Sequence, residues 1–263
     1  MSKIIFSVFS ILFLVSCTRV PITNRRQVNM LPEGTLIGMS ITNYRDFLSK
    51  NPAASSSGAD AQMVKRVGEK IAKAVTQFMS SKRQAKRIKD YKWEFNLVSQ
   101  KEMNAWCMPG GKVVVYSGIM PVTKDETGLA VVMGHEISHA IARHGNERMS
   151  QMLIVNVGMA GLAVALSSKP KETNDVFLSA YGIGSTLGVL KYSRVHESEA
   201  DKLGLVFMAM AGYNPAEAVA FWERMSKQGG AKMPELLSTH PSDQTRIKEI
   251  RDFLPVAMKY FKK

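Results

Sequence analysis

The sequence predicts an α+β fold, mostly helical, with a small, mainly antiparallel sheet. Three observations carry that expectation. Apolar residues recur at helical spacing through Met63, Val67, Ile71, Val75 and Phe78. Two short runs, WEFNLV (93–98) and KVVVY (112–116), are rich in aromatic and branched residues. From Arg194 onward the patterning is helical again.

The chain has 263 residues, a formal net charge of +13 and 45% hydrophobic residues. That length suits one domain with small appendages, able to bury a core without disulfide staples. Cys17 and Cys107 are the only cysteines, which excludes a disulfide framework. The positive charge is scattered, apart from Lys82, Arg83, Lys86, Arg87 and Lys89, which read as a solvated helix end or loop. In an exported chain such charge suits anionic headgroups, and no nucleic acid is expected as a partner.

At the amino terminus, Lys3 precedes an apolar run from Ile4 to Val15. Residues 1–16 read as a signal peptide, short for a spanning helix. Leu14-Val15-Ser16-Cys17 looks like a bacterial lipobox. That resemblance implies cleavage before Cys17 and a lipid on it; a plain signal peptide or a signal anchor are the alternatives. Residues 17–58 are expected to be a tether with a short helical piece, closed by the connector NPAASSSG (51–58). The folded domain is expected over 59–263.

The helix from Ala59 carries the stripe named above, with Lys65, Arg66, Glu69 and Lys73 off it. Pro109-Gly110-Gly111 reads as a turn that pairs 104–108 with 112–116 as a hairpin. Thr123 to Glu126 fits a capping box, Leu129, Val132, Met133, Ile137 and Ile141 form a stripe, and Gly145 is the expected stop. Segments 152–166 and 176–190 are apolar, with polar or glycine interruptions. They are expected to be buried, small-residue helices rather than membrane spans. A helix should run from Arg194 to Ala211, another should restart at Asn214-Pro215, and a last one should end before Pro255.

The chemistry is concentrated in MGHEISHAIARHG (133–145). His135-Glu136-Ile137-Ser138-His139 is an H-E-x-x-H motif. On a helix, residues four apart share one face, so both imidazoles can reach one zinc ion at about 2.0–2.1 Å. Glu136 lies about 100° further round. It is placed to act as general base toward a water beside the metal. His144, about 180° from His135, is expected to face away from the metal. A catalytic zinc needs a third protein ligand. Ala142 and Gly145 stand where a metzincin would have glycine and histidine, so that ligand comes from elsewhere. His196, Glu197, Glu199 and Asp201 are the candidates. Glu197 and Asp201 share a helix face, but spacing alone does not choose between them.

HEISHAIARHG, YSRVHESEAD, HPSDQTRI and the upstream NAWCMPGGKVVVYSG together resemble zinc metallopeptidase family 48. These are the gluzincins that include the CAAX prenyl proteases, HtpX and Oma. The opening PITNRRQVNMLPE looks like the lipoprotein members of bacterial envelopes. The resemblance implies a gluzincin metallopeptidase domain with its sheet beside the H-E-x-x-H helix. It implies one zinc per chain held by His135, His139 and Glu197, Glu136 as catalytic base, and Asp201 holding a ligand histidine. It also implies an active-site edge strand at Asn104, Ala105, Trp106, Val113 and Val114. His240 is implied near the metal, steadying the oxyanion or plugging the open position, with Arg246 in the same neighbourhood.

The expected function is zinc-dependent hydrolysis of peptide bonds in unfolded or misassembled envelope proteins. The chain would be lipid-anchored through Cys17 to the outer membrane, facing the periplasm. Polypeptides are the expected partners, and homo-oligomerisation is left open. The alternative is a chaperone-like envelope assembly factor with a plugged or weakly active metal site. A charge-driven membrane or nucleic-acid binder is a third reading.

Overall fold

The computed structural model describes residues 17–154, 170–181, 192–228, 236–237, 240 and 244–262. The signal segment, and residues 155–166 and 182–190 of the two apolar segments, lie outside the described residues. No described helix is long and apolar enough to cross a membrane.

The tether carries more order than its composition suggests. β1 (Cys17–Arg19) and β2 (Arg26–Val28) form an antiparallel hairpin, and α1 (Glu33–Lys50) follows. α2 (Ala59–Ser81) starts where periodicity places it, and Val67, Ile71, Val75 and Phe78 of its stripe are buried.

Three strands come next: β3 (Glu94–Val98), β4 (Ala105–Met108) and β5 (Lys112–Tyr116). β4 and β5 form the expected hairpin, turned by Gly110 and Gly111, both at φ +81°, where other residues are strained. β5 lies in the middle, and its other pairing, with β3, is parallel. The sheet is therefore mixed. Parallel pairing suits strands covered on both faces, and that is the arrangement here. Leu97, Ala105, Cys107, Val113 and Val115 belong to the core shared with α2 and α4 (Glu126–Ala142). Val98, Trp106, Met108 and Val114 belong to a second core. It also takes in α1, helix α5 (144–154) and α6 (Pro170–Ala180). Burial on both faces explains the unbroken apolar run VVV.

α4 is the centre of the molecule: every residue from Gly128 to Ala142 is buried. Its ends differ from the sequence reading. A short helix, α3 (Met120–Thr123), precedes it, and the chain turns at Lys124 with φ +69°. That turn moves the cap from Thr123 to Asp125, whose carboxylate accepts from the Thr127 and Gly128 amides. The helix stops at Arg143, in the left-handed region at φ +62°, and not at Gly145.

α7 (Arg194–Met210) is capped by Ser193, whose side chain accepts from the His196 amide. It crosses α4 at two glycines. A Cβ on Gly204 would lie 3.0 Å from Gly134 C and the His135 backbone nitrogen. A side chain at either position would press on the facing backbone. α8 (Glu217–Ser226) follows an Asn214 turn. α9 (Gln244–Ala257) runs through Pro255 rather than ending before it. Pro255 lies in the last turn, where it leaves the Arg251 carbonyl without its helical amide donor and only two helical residues follow.

Candidate metal centre

The α4–α7 crossing brings residues far apart in sequence to one point. His135 and His139, one turn apart on α4, have Nε2 atoms 3.0 Å from each other. Glu197 on α7 places Oε2 3.4 Å from His135 Nε2 and Oε1 3.5 Å from His139 Nε2. His240 contributes Nδ1, 3.2 Å from His135 Nε2 and 2.9 Å from Glu197 Oε1. All four residues are buried, and one donor atom from each lies within 4.8 Å of the others. A tetrahedral zinc with ~2.05 Å bonds has donor–donor edges of ~3.3 Å. The observed spacings cluster around that value.

The groups behind the donors fix which nitrogens face inward. Asp201 Oδ1 lies 2.9 Å from His135 Nδ1. Its carboxyl is held below its usual range: burial alone would raise it, but Arg246 and His135 outweigh that. The carboxylate accepts from Nδ1–H, so Nε2 is the nitrogen turned toward His139 and Glu197. Arg246 contacts Asp201 at 2.8 and 2.9 Å and Glu197 Oε2 at 2.9 Å. Its guanidinium lies 3.6 Å from the Trp222 ring centroid. Burial would also raise the Glu197 carboxyl, yet His240 and Arg246 hold it well below the usual range. Burial, then the neighbouring imidazoles, push His139 well below the usual histidine value, so it is neutral. A neutral imidazole and an ionised carboxylate are the forms that bind metal. Burial and Arg246 lower His135, but Asp201 and Glu197 outweigh them and push it up to about 9. Two imidazoles and an ionised carboxylate at these spacings fit a divalent cation.

Glu136 is the neighbour to this group. It is buried, and Oε1 has no hydrogen-bond partner among the described residues. His240 Nε2 is 3.6 Å away. Burial raises the Glu136 carboxyl above its usual range. A buried carboxylate oxygen without a donor is costly, and a water beside a metal ion is the partner such an oxygen suits. A cavity of about 210 Å³ adjoins the site, lined in part by Tyr192, Glu197, Ser198, Arg246 and Glu249.

Two of the acidic-helix candidates lie elsewhere. His196 Nε2 meets Glu147 Oε2 at 3.0 Å, and Glu199 meets Arg25, Thr23 and His144. His144 itself corrects the sequence reading. It does not face away: its Nδ1 lies 3.0 Å from His139 Nδ1. The helical angle no longer applies beyond Arg143, where the left-handed residue turns the chain back. Tyr192 was also not singled out; its ring packs on His139, with centroids 4.0 Å apart.

The expected substrate edge is divided. Asn104 is buried, and its backbone oxygen accepts from the Tyr116 amide. Ala105 and Trp106 lie on β4, at the rim of the sheet. Val113 and Val114 lie in central β5, whose backbone is paired on both sides, so no peptide strand can add there. That part of the expectation fails. Trp106 also points its ring at Phe47 and Tyr44 of α1.

Comparison with known proteins agrees with this geometry. Residues 60–254 match the model of Peptidase family M48. The mitochondrial metalloendopeptidase OMA1 of Schizosaccharomyces pombe is 34% identical over 244 residues, covering 90% of this chain and 66% of that protein. Human mitochondrial metalloendopeptidase OMA1 is 28% identical, covering 91% and 46%. The beta-barrel assembly-enhancing protease of Yersinia pestis is 30% identical over 166 residues, covering 61% and 34%. The chain therefore spans between 34% and 66% of the length of these relatives. With the motif helix, the downstream glutamate and the family match all falling on the same residues, the chain belongs to peptidase family M48.

Proposed function

We propose that this protein is a zinc-dependent endopeptidase of a bacterial envelope, acting on unfolded or misassembled envelope proteins. The observation that carries the reading is Glu136: a buried carboxylate with an unpartnered oxygen, set beside the four metal-competent residues His135, His139, Glu197 and His240. His135, His139 and Glu197 would hold the ion. A zinc ion there supplies Lewis acidity, making water acidic near neutral pH and polarising a carbonyl. Glu136 accepts the proton of the attacking water and passes it to the departing amine. Asp201 holds the His135 ring by its Nδ1–H, and Arg246 holds the two α7 carboxylates in place. An extended substrate would lie along the β4 rim near Asn104, Ala105 and Trp106.

His240 supports a gated version of this function. Its Nδ1 is close enough to Glu197 and His135 to complete a closed, four-donor set, whereas a catalytic zinc keeps one position open. Substrate would have to displace it. The second reading, a chaperone-like assembly factor with a plugged site, rests on the same contact. Residues 1–16 as signal peptide, lipid on Cys17 and outer-membrane anchorage belong to the proposal. The sequence at Leu14–Cys17 supports them. Residues 59–263 would then be the peptidase domain.

Casein digestion by zinc-loaded protein, with and without chelator, separates the readings. Cleavage abolished by chelation and by Glu136→Gln is expected. A zinc-loaded chain that never cleaves favours the assembly factor, and full activity in Glu136→Gln removes the general base.

A further inference from the structure

The segment just after Cys17 reaches the back of the metal centre. Arg25 lies in the loop between β1 and β2. Its guanidinium bridges two buried carboxylates from different helices. Nη1 and Nη2 donate to Glu147 of α5 at 2.8 and 2.7 Å, and Nε and Nη2 donate to Glu199 of α7 at 3.0 and 2.9 Å. Thr23 Oγ1 adds a 2.6 Å bond to Glu199. Glu199 in turn lies 3.1 Å from His144 Nε2, and His144 Nδ1 lies 3.0 Å from His139 Nδ1.

We propose that Arg25 and His144 are positioning residues for the metal ligand His139, so that the amino-terminal hairpin is a working part of the metal centre. The inference rests on reading His139 as a zinc ligand. The hydrogen-bond chain has a direction. Glu199, paired with Arg25, only accepts, so the proton of His144 sits on Nε2. His144 Nδ1 is then a lone pair and must accept from His139 Nδ1–H. His139 is left with its Nε2 lone pair facing His135 and Glu197. Glu199 thus selects the His139 tautomer from two rings away, and Arg25 holds Glu199 in place. Asp201 performs this service for His135 in one step. For His139 it takes three residues, His144, Glu199 and Arg25, and the last of them belongs to the segment that would follow a lipid anchor. Undocking the hairpin would leave Glu147 and Glu199 buried without their guanidinium and would free the ring behind His139.

The test is zinc affinity of the full chain, by competition with a chromophoric chelator. The visible spectrum of the cobalt-loaded protein serves as a second readout. His144→Ala and Arg25→Ala should weaken zinc binding ~10- to 100-fold and alter the cobalt bands, with helical content unchanged by circular dichroism. His144→Gln can accept from His139 and donate to Glu199 through one amide. It should recover affinity to within ~5-fold of the parent, a rescue that a merely space-filling role does not require. If His144→Ala does not fold, Arg25→Lys decides: it keeps the charge, loses the paired geometry, and should bind zinc measurably more weakly. Parental affinity in folded His144→Ala and Arg25→Ala, or in Arg25→Lys, overturns the proposal, as does a glutamine variant no better than alanine. A parent chain that takes up no zinc overturns the metal reading itself, a separate and recognisable result.

Discussion

Gly204→Ala perturbs the helix crossing without touching any metal donor. The new Cβ would sit 3.0 Å from Gly134 C and the His135 backbone nitrogen. Such contacts are tighter than Cβ atoms ordinarily make, so α4 and α7 must part by a few tenths of an ångström. Neither obstacle is a flexible side chain, so the helices themselves have to move. Overpacking of this kind costs ~1–3 kcal/mol, or roughly 2–12 °C in Tm for a chain of this size. The same movement would stretch the 2.9 Å His135–Asp201 bond toward the ~3.2 Å limit of a good N–H···O bond. Zinc affinity should then fall ~10-fold. Thermal unfolding with and without zinc, and chelator competition, measure the two effects. Gly38→Ala is the control: it lies within α1 with nothing inside 4 Å of its would-be Cβ, and should gain ~0.5–1 kcal/mol. If Gly204→Ala keeps parental Tm and zinc affinity, the glycine crossing does not set the metal geometry.

Other perturbations follow from the same contacts. Arg246→Met removes the cation shared by Asp201 and Glu197, and should cost ~3–5 kcal/mol in metal-free protein, seen as a lower denaturation midpoint. Zinc should restore part of that loss, and equal losses with and without zinc would contradict the charge argument. Glu147 tests acid sensitivity. Burial alone would raise its carboxyl, but the Arg25 and His196 hydrogen bonds bring it down from 4.5 to about 2. A depressed carboxylate stabilises the fold above its unfolded value and loses that contribution as protons bind it. The stability advantage of the parent over Glu147→Gln should therefore shrink between pH 4.5 and 2. A constant difference across that window would be the wrong outcome.

Local rules explain what the sequence disclosed. The α2 stripe was legible because every third or fourth residue faces one core. The proximity of His135 to His139, and of Glu197 to Asp201, was legible because i and i+4 share a helix face. The α4 termini were not, because Lys124 and Arg143 adopt positive φ without being glycine. Neither residue type announces that. His144 went astray for the same reason. Arg25 left no local signal at all: its partners, Glu147 and Glu199, are over a hundred positions away and meet only after α5 and α7 pack. Central β5 could not be told from an edge strand, since two buried faces erase the alternation that marks one.

A cation held jointly by His135, His139 and Glu197 is the centre of the proposed chemistry. Elemental analysis of purified, unchelated protein tests this most directly. One zinc per chain is expected in the parent and in Glu136→Gln, and loss of it on dialysis from Glu197→Ala. A parent chain free of metal, or a Glu197→Ala chain that keeps its full complement, would contradict it.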